Sequence, residues 1–220
     1  MGMILRRFLL VLTILVIAGC ERGPQEPPPV TPQTEAAVDE AAPSAAPPAT
    51  SSSPNGAAAP GPALVAQALV LGEWQRADNL GTCAPVAFVS TGQARGAPRP
   101  AEFGGGWGVA FDLPNLRSAY GLAGPGPIAA DSAQPDEQRE RLGAQWPYFR
   151  ELEALPQPAF AGYGIEGAGA YPPGNPSGRG LNSLAYVRVG EQRCTYNVWS
   201  RLGRAHLELL LDALRPVRVD

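Results

Sequence analysis

His206 is the single histidine of this 220-residue chain, with Ser200 six positions before it and Asp212 six positions after. A serine, an imidazole and a carboxylate are the parts of an acyl-transfer site, where the ring takes the hydroxyl proton and the acid steadies the ring. Such a site sets its serine on a sharp strand-to-helix elbow, and no G-x-S-x-G surrounds Ser200. Glu151 and Glu153 offer a different chemistry, the paired carboxylates of glycoside hydrolysis. Charge clusters of that kind are more often solvated faces. The expectation is therefore a surface or packed histidine on a helix, with no residue assigned to catalysis.

Phe103–Gly108, "FGGGWG", has the glycines of a phosphate loop but neither the Lys-Ser/Thr of a P-loop nor the G-x-G-x-x-G order of a dinucleotide site. Glycines before a strand more often permit a bulge or close backbone packing. No cofactor is expected. The aromatic residues are the better lead for binding. Trp146, Tyr148 and Phe149 lie in "WPYF" among polar neighbours, and Tyr163 and Tyr171 lie in a long Gly/Pro segment. Aromatics on loops can stack on sugars or on a partner's side chains, although large rings are also common core anchors.

The front of the chain carries an address. Arg6 and Arg7 precede Phe8 to Ala18, a run that is apolar except for Thr13, and Gly19 follows. As a helix this run rises about 16 Å, roughly half of a bilayer's hydrocarbon core, so it suits an export signal better than a permanent span. It ends in "IAGC", Ile17 to Cys20, which resembles the lipobox of bacterial lipoproteins. The resemblance covers residues 1–20 only. It implies that Cys20 receives a diacylglyceryl group, that the chain is cut before it, and that its new amino group takes a further palmitate-type acyl chain. Two or three such chains make attachment to a membrane long-lived, where one would not. "ILRRFLLV" is a poor twin-arginine match, which favours the general secretory route. In that family an aspartate after the cysteine resembles an inner-membrane retention signal. The chain has Glu21 there, which leans toward the periplasmic face of the outer membrane.

With Cys20 given to lipid, Cys83 and Cys194 remain. Two thiols in an oxidising compartment usually pair, so a disulfide is expected between them. Their spacing is no known ligand pattern, and one histidine is too few to make a metal site the better reading. Without a C-x-x-C, the bridge is read as structural.

Residues 21–63 hold 11 prolines and 11 alanines but no aromatic residue and no leucine. Such a composition cannot bury enough surface to offset the entropy of ordering it. The segment reads as a disordered tether whose extended contour is on the order of 130 Å at polyproline spacing. From Leu64 to Asp220 the chain carries all four tryptophans and all six tyrosines, a length suited to one domain. Its 14 arginines face 15 acidic residues, and the chain has no lysine. That balance gives no electrostatic case for nucleic acid.

The elements that must position these residues are clearest at the C-terminus. "SLAYVRV", Ser183 to Val189, and "QRCTYNVWS" both alternate, with Gly190 and Glu191 between them. One face of the second strand takes Cys194, Tyr196 and Val198; the other takes Thr195, Asn197 and Trp199. Leu207, Leu210, Leu211 and Leu214 then share a helical face, with Pro216 as the stop and Arg215 near the negative helix end. "GWGVAFDL", Val86 to Ser90 and "SAYGLAG" read as further strands. "DSAQPDEQRERLGAQW" reads as a helix capped by Asp131 or Ser132. Residues 156–180 read as loop. The whole is expected to be an α+β domain, loop-rich, with an antiparallel sheet and a C-terminal packing helix.

Signal (1–19), lipidated cysteine with tether (20–63) and domain (64–220) together imply a lipid-anchored, non-catalytic lipoprotein. Its domain would serve a binding or structural role toward an envelope protein or the cell-wall polymer. The alternative is a cell-envelope hydrolase carried on the same anchor.

Overall fold

Alternation along the strands decides which residues meet. The computed structural model describes residues 62–125 and 133–219. The signal, Cys20, all but the last two residues of the tether, and Asp131 and Ser132 lie outside them; the helix expected to be capped by Asp131 or Ser132 starts at Pro135, with Gln134 in the cap position. The described residues belong to the unit Gly56–Asp220.

The order is α1 (Gln67–Arg76), β1 (Val86–Phe88), β2 (Ala97–Pro100), β3 (Trp107–Leu113), β4 (Leu116–Gly124), α2 (Pro135–Gln145) and β5 (Tyr148–Glu151). It continues with β6 (Ala159–Ile165), β7 (Ser183–Val189), β8 (Thr195–Ser200), α3 (Arg204–Asp212) and β9 (Leu214–Pro216). Seven strands form an antiparallel sheet in the order β2-β3-β4-β8-β7-β6-β5, and β1 pairs with β9. The domain is α+β.

Pairing in register lines Trp107, Val109 and Phe111 of β3 up with Tyr120 and Leu122 of β4, then with Val198 and Tyr196 of β8. Ala185 and Val187 of β7 and Ala161 and Tyr163 of β6 continue the same inner face. These side chains are buried together with Val70 of α1 and Leu207, Leu210 and Leu211 of α3. Each large apolar side chain withdrawn from water contributes roughly 1.5–3 kcal/mol. A second, smaller cluster lies on the outer face, where α2 brings Leu142 and the following Trp146 onto Phe160. Cys83 and Cys194 form a disulfide, with Cα atoms 5.6 Å apart across 111 residues, and it ties the approach to β1 to the start of β8.

Two further expectations change. Residues 156–180 contain the strand β6, with only turns and one isolated bridge from 166 on. Its signal is diluted by Gly162 and Gly164, which crowding demands. A Cβ on Gly162 would lie 2.7 Å from Trp146 Cδ1, and one on Gly164 would lie 2.5 Å from the Gly169 carbonyl. The last helix ends at Asp212, so Leu214 is buried in β9 opposite Phe88 and not on the helix. Arg215 does sit at the helix end, donating to the Asp212 carbonyl at 2.8 Å. The short elements α1, β2, β5 and β9 went unforeseen.

Candidate functional site

The outer face of β3 and β4 is made of very small residues, Gly108, Ala110, Gly121 and Ala123, paired in register. On this side β8 presents Asn197 and Trp199, and β7 presents Leu184 and Tyr186. A groove of about 790 Å³ lies over these strands.

Its floor is aromatic. The indole of Trp199 rests on the bare backbone of Gly121, where a Cβ would stand 2.3 Å from Cζ2 and 2.6 Å from Cη2. Phe103 covers Gly108 in the same way, and its ring centroid lies 5.7 Å from that of Trp199, tilted by 34°. The glycines after Phe103 make the turn that holds it there. Gly104 and Gly105 adopt positive φ, and Gly106 backs onto the Gly124 carbonyl, leaving no room for a side chain.

Its rim is polar. Arg99 donates to Asp112 at 2.9 Å and to Ser118 Oγ at 2.5 Å, while the Ser118 amide donates to Asp112 at 2.7 Å. The Ser118 amide first, and then Arg99, hold the Asp112 carboxyl below the usual carboxylate range against partial desolvation. Farther along, Asn182 donates to Glu166 at 3.0 Å, and its own amide oxygen has no hydrogen-bond partner among the described residues. Glu102 and Arg201 also line the groove and form no ion pair among the described residues.

The five aromatics singled out in the sequence do not make one exposed patch. Trp146, Tyr163 and Tyr171 are 5%, 5% and 6% exposed, and Tyr148 and Phe149 are half-buried. The alternation of β5 sends Tyr148 and Phe149 to opposite faces. Phe149 joins Trp146 under α2, with Trp146 edge-on to Tyr186 at 5.1 Å. Tyr148, Tyr163 and Tyr171 gather on the other side around Arg204 of α3. That guanidinium lies 3.9 Å from the Tyr148 centroid and 5.9 Å from that of Tyr171. Arg204 Nε and the Tyr163 hydroxyl both donate to Glu208, at 2.8 and 2.7 Å. Burial and then Glu208 push the Tyr163 phenol up to about 12. Burial alone would raise the Glu208 carboxyl, but the bonds from Arg204 and Tyr163 outweigh it and lower it. These tyrosines anchor α3 to the sheet.

Ser200 and His206 do meet, at 2.9 Å, but Ser200 is fully buried and His206 half-buried. Asp212 is not with them: it is bound to Arg150 at 2.6 Å. Glu151 is tied to Arg139, and Glu153 is exposed. Both glutamates line a hollow of about 340 Å³ with Asp212, so two of its three carboxylates sit on arginines. An arginine favours the ionised carboxylate, the opposite of what a general acid requires. Among the described residues no group of three or more His, Cys, Asp or Glu is placed to hold a metal ion.

Sequence reading gave no binding role to Phe103, Asn182, Tyr186, Asn197 or Arg201, and placed Asn197 and Trp199 only by their strand face. The groove exists because Trp199 stands opposite Gly121, and that pairing depends on a strand order that no local pattern encodes. No family model, curated protein or solved structure matches this chain, so the groove is read from its own residues.

Proposed function

We propose that this chain is a lipid-anchored envelope protein whose C-terminal domain is a non-catalytic binding module, with the outer-face groove as its binding surface. The observation that carries the reading is the groove itself. A half-exposed Trp199 is set beside the Asn182 amide oxygen, which has no partner among the described residues, and two exposed charges, Glu102 and Arg201. A buried polar atom without a partner, as the Asn182 oxygen is, costs free energy unless something binds it. A reacting serine, in contrast, needs access, and Ser200 has none.

The anchoring half of the proposal rests on "IAGC" at 17–20 and the Pro/Ala-rich stretch behind it. No helix among the described residues is long and apolar enough to cross a membrane. A lipid on Cys20 would hold the protein at a leaflet, on the periplasmic face of the outer membrane. The intervening segment would let the groove reach a partner away from the bilayer, either an envelope protein or the wall polymer.

The test places a photo-crosslinking residue at Asn197 in the groove or at the exposed Glu140 of α2, in the native host's envelope. Adducts are expected from position 197 and not from 140. Equal or absent labelling overturns the groove reading. Mass spectrometry of the mature N-terminus, with Cys20→Ser as control, tests the anchor. If that variant stays membrane-bound and full-length like the wild type, the anchor is wrong.

A further inference from the structure

The groove has two chemically different surfaces in a fixed relation, and we infer that its ligand is an uncharged oligosaccharide lying across the sheet. The inference rests on the groove being the binding surface. One face of the Trp199 indole lies on Gly121, so its other face turns away from the strand toward the groove, with Phe103 tilted beside it. Such a platform suits the apolar C–H face of a pyranose ring, which gains by leaving water against a flat aromatic.

Register supplies the second surface. Arg201, Asn182 and Glu166 lie just past the ends of β8, β7 and β6, two residues along from Trp199, Leu184 and Gly164, and the Glu166 amide donates to the Asn182 carbonyl at 2.8 Å. All three line the groove that holds the platform. Arginine only donates, an ionised glutamate only accepts and an amide does both, which matches the hydroxyl edge of a sugar. Asn182 gives its amide N–H to Glu166, and its oxygen, an acceptor, has no partner among the described residues.

Charge narrows the class. Arg99 is neutralised by Asp112, which leaves Arg201 against Glu102 and Glu166. A site so nearly balanced does not concentrate phosphate, sulfate or an anionic lipid surface, and it complements a neutral ligand. A peptide added as a further strand is disfavoured at the β2 edge by Pro98 and Pro100, which have no N–H to give. A volume of about 790 Å³ is that of a small-ligand site and takes a few sugar rings.

Titration calorimetry tests this on the full-length protein in a detergent that carries no sugar. The probes are chitotetraose, cellotetraose and maltotetraose, with a sulfated oligosaccharide as the charged comparison. At least one neutral probe should bind saturably, and Trp199→Ala should weaken it about tenfold or more. Asn182→Ala and Arg201→Ala, at positions where folding is not at stake, should weaken it too. Trp146→Phe under α2 should not. The inference is overturned if no neutral probe binds at millimolar concentration, if the sulfated probe binds as well, or if the groove variants change nothing. Should sugars fail while position 197 still crosslinks selectively, only the ligand class is wrong. Should both fail, the binding surface itself is wrong.

Discussion

The hydroxyl of Ser200 lies 2.9 Å from Nδ1 of His206, and the serine that makes this bond is wholly enclosed. The other ring nitrogen, Nε2, faces the Thr91 carbonyl at 3.3 Å, so it carries the proton and Nδ1 accepts from the serine. The Leu202 amide completes the set by donating to Ser200 Oγ at 3.1 Å. Three pieces of chain are thus pinned by one neutral imidazole, whose ring stands edge-on to Tyr120 at 5.0 Å. Sequence spacing hints at a catalytic pair; the structure makes it a clasp.

Burial lowers the His206 pKa, and the Thr91 carbonyl opposes this only in part. The unfolded chain therefore takes up the proton first, at about 6.5. The stability held by the neutral ring is complete above that value and falls as pH drops toward the lower folded pKa. Denaturation in urea should show a midpoint that declines from about pH 7 to about pH 5, and His206→Gln should flatten that decline. Asp112 and Glu208, whose folded values are also lowered, act only below the ordinary carboxylate range. An unchanged slope in His206→Gln would remove the clasp's role.

Gly121→Ala should both weaken the fold and spoil the groove. The new methyl would sit 2.3 Å from the Trp199 ring and 2.5 Å from the Val109 carbonyl, and the latter cannot swing aside. Overpacking of this kind costs about 1–3 kcal/mol. A lowered melting temperature together with altered tryptophan emission would be the signature. Gly143→Ala on α2, where the nearest side-chain atom is 4.0 Å away, should be neutral or slightly stabilising.

Removing the disulfide with Cys83→Ala and Cys194→Ala should cost about 2–4 kcal/mol, because the bridge closes a long loop in the unfolded chain. Both sulfurs are fully buried, so mild reductant should leave the folded protein intact and act only near the unfolding transition. Calorimetry with and without reductant would read both effects.

Tyr163→Phe should destabilise α3 docking by about 1–2 kcal/mol, since it deletes a hydrogen bond to the charged Glu208. Arg204→Lys keeps the charge but loses the planar stacking on Tyr148, and should cost about 0.5–1 kcal/mol. Hydrogen exchange in residues 204–212 would localise both losses.

What could be read in advance follows from the range of the signal. β7, β8, α3 and the Cys83–Cys194 pairing were legible, because alternation, helical spacing and a count of thiols are local or compositional. β6 was not, since Trp146 forces glycine where a strand former would advertise itself. β2 was hidden by its own prolines. The groove was hidden more deeply, because Phe103, Asn182 and Trp199 become neighbours only once β8 inserts between β4 and β7. Aromatic composition pointed to binding but chose rings that the sheet uses for itself.

The prolines of β2 have an effect beyond the choice of ligand. Ala101 gives its amide to Gly108 of β3, so in this strand the odd-numbered residues turn their N–H groups toward the sheet and the even-numbered ones turn outward. Pro98 and Pro100 fall on the outward positions, and this margin of the sheet has no donor at either. Molecules packed shoulder to shoulder in two dimensions meet their own copies constantly, and an open strand would then zip them into fibrils. Here the β2 margin is already blunted, and crowding on the proposed lipid anchor would not by itself zip copies together along that edge.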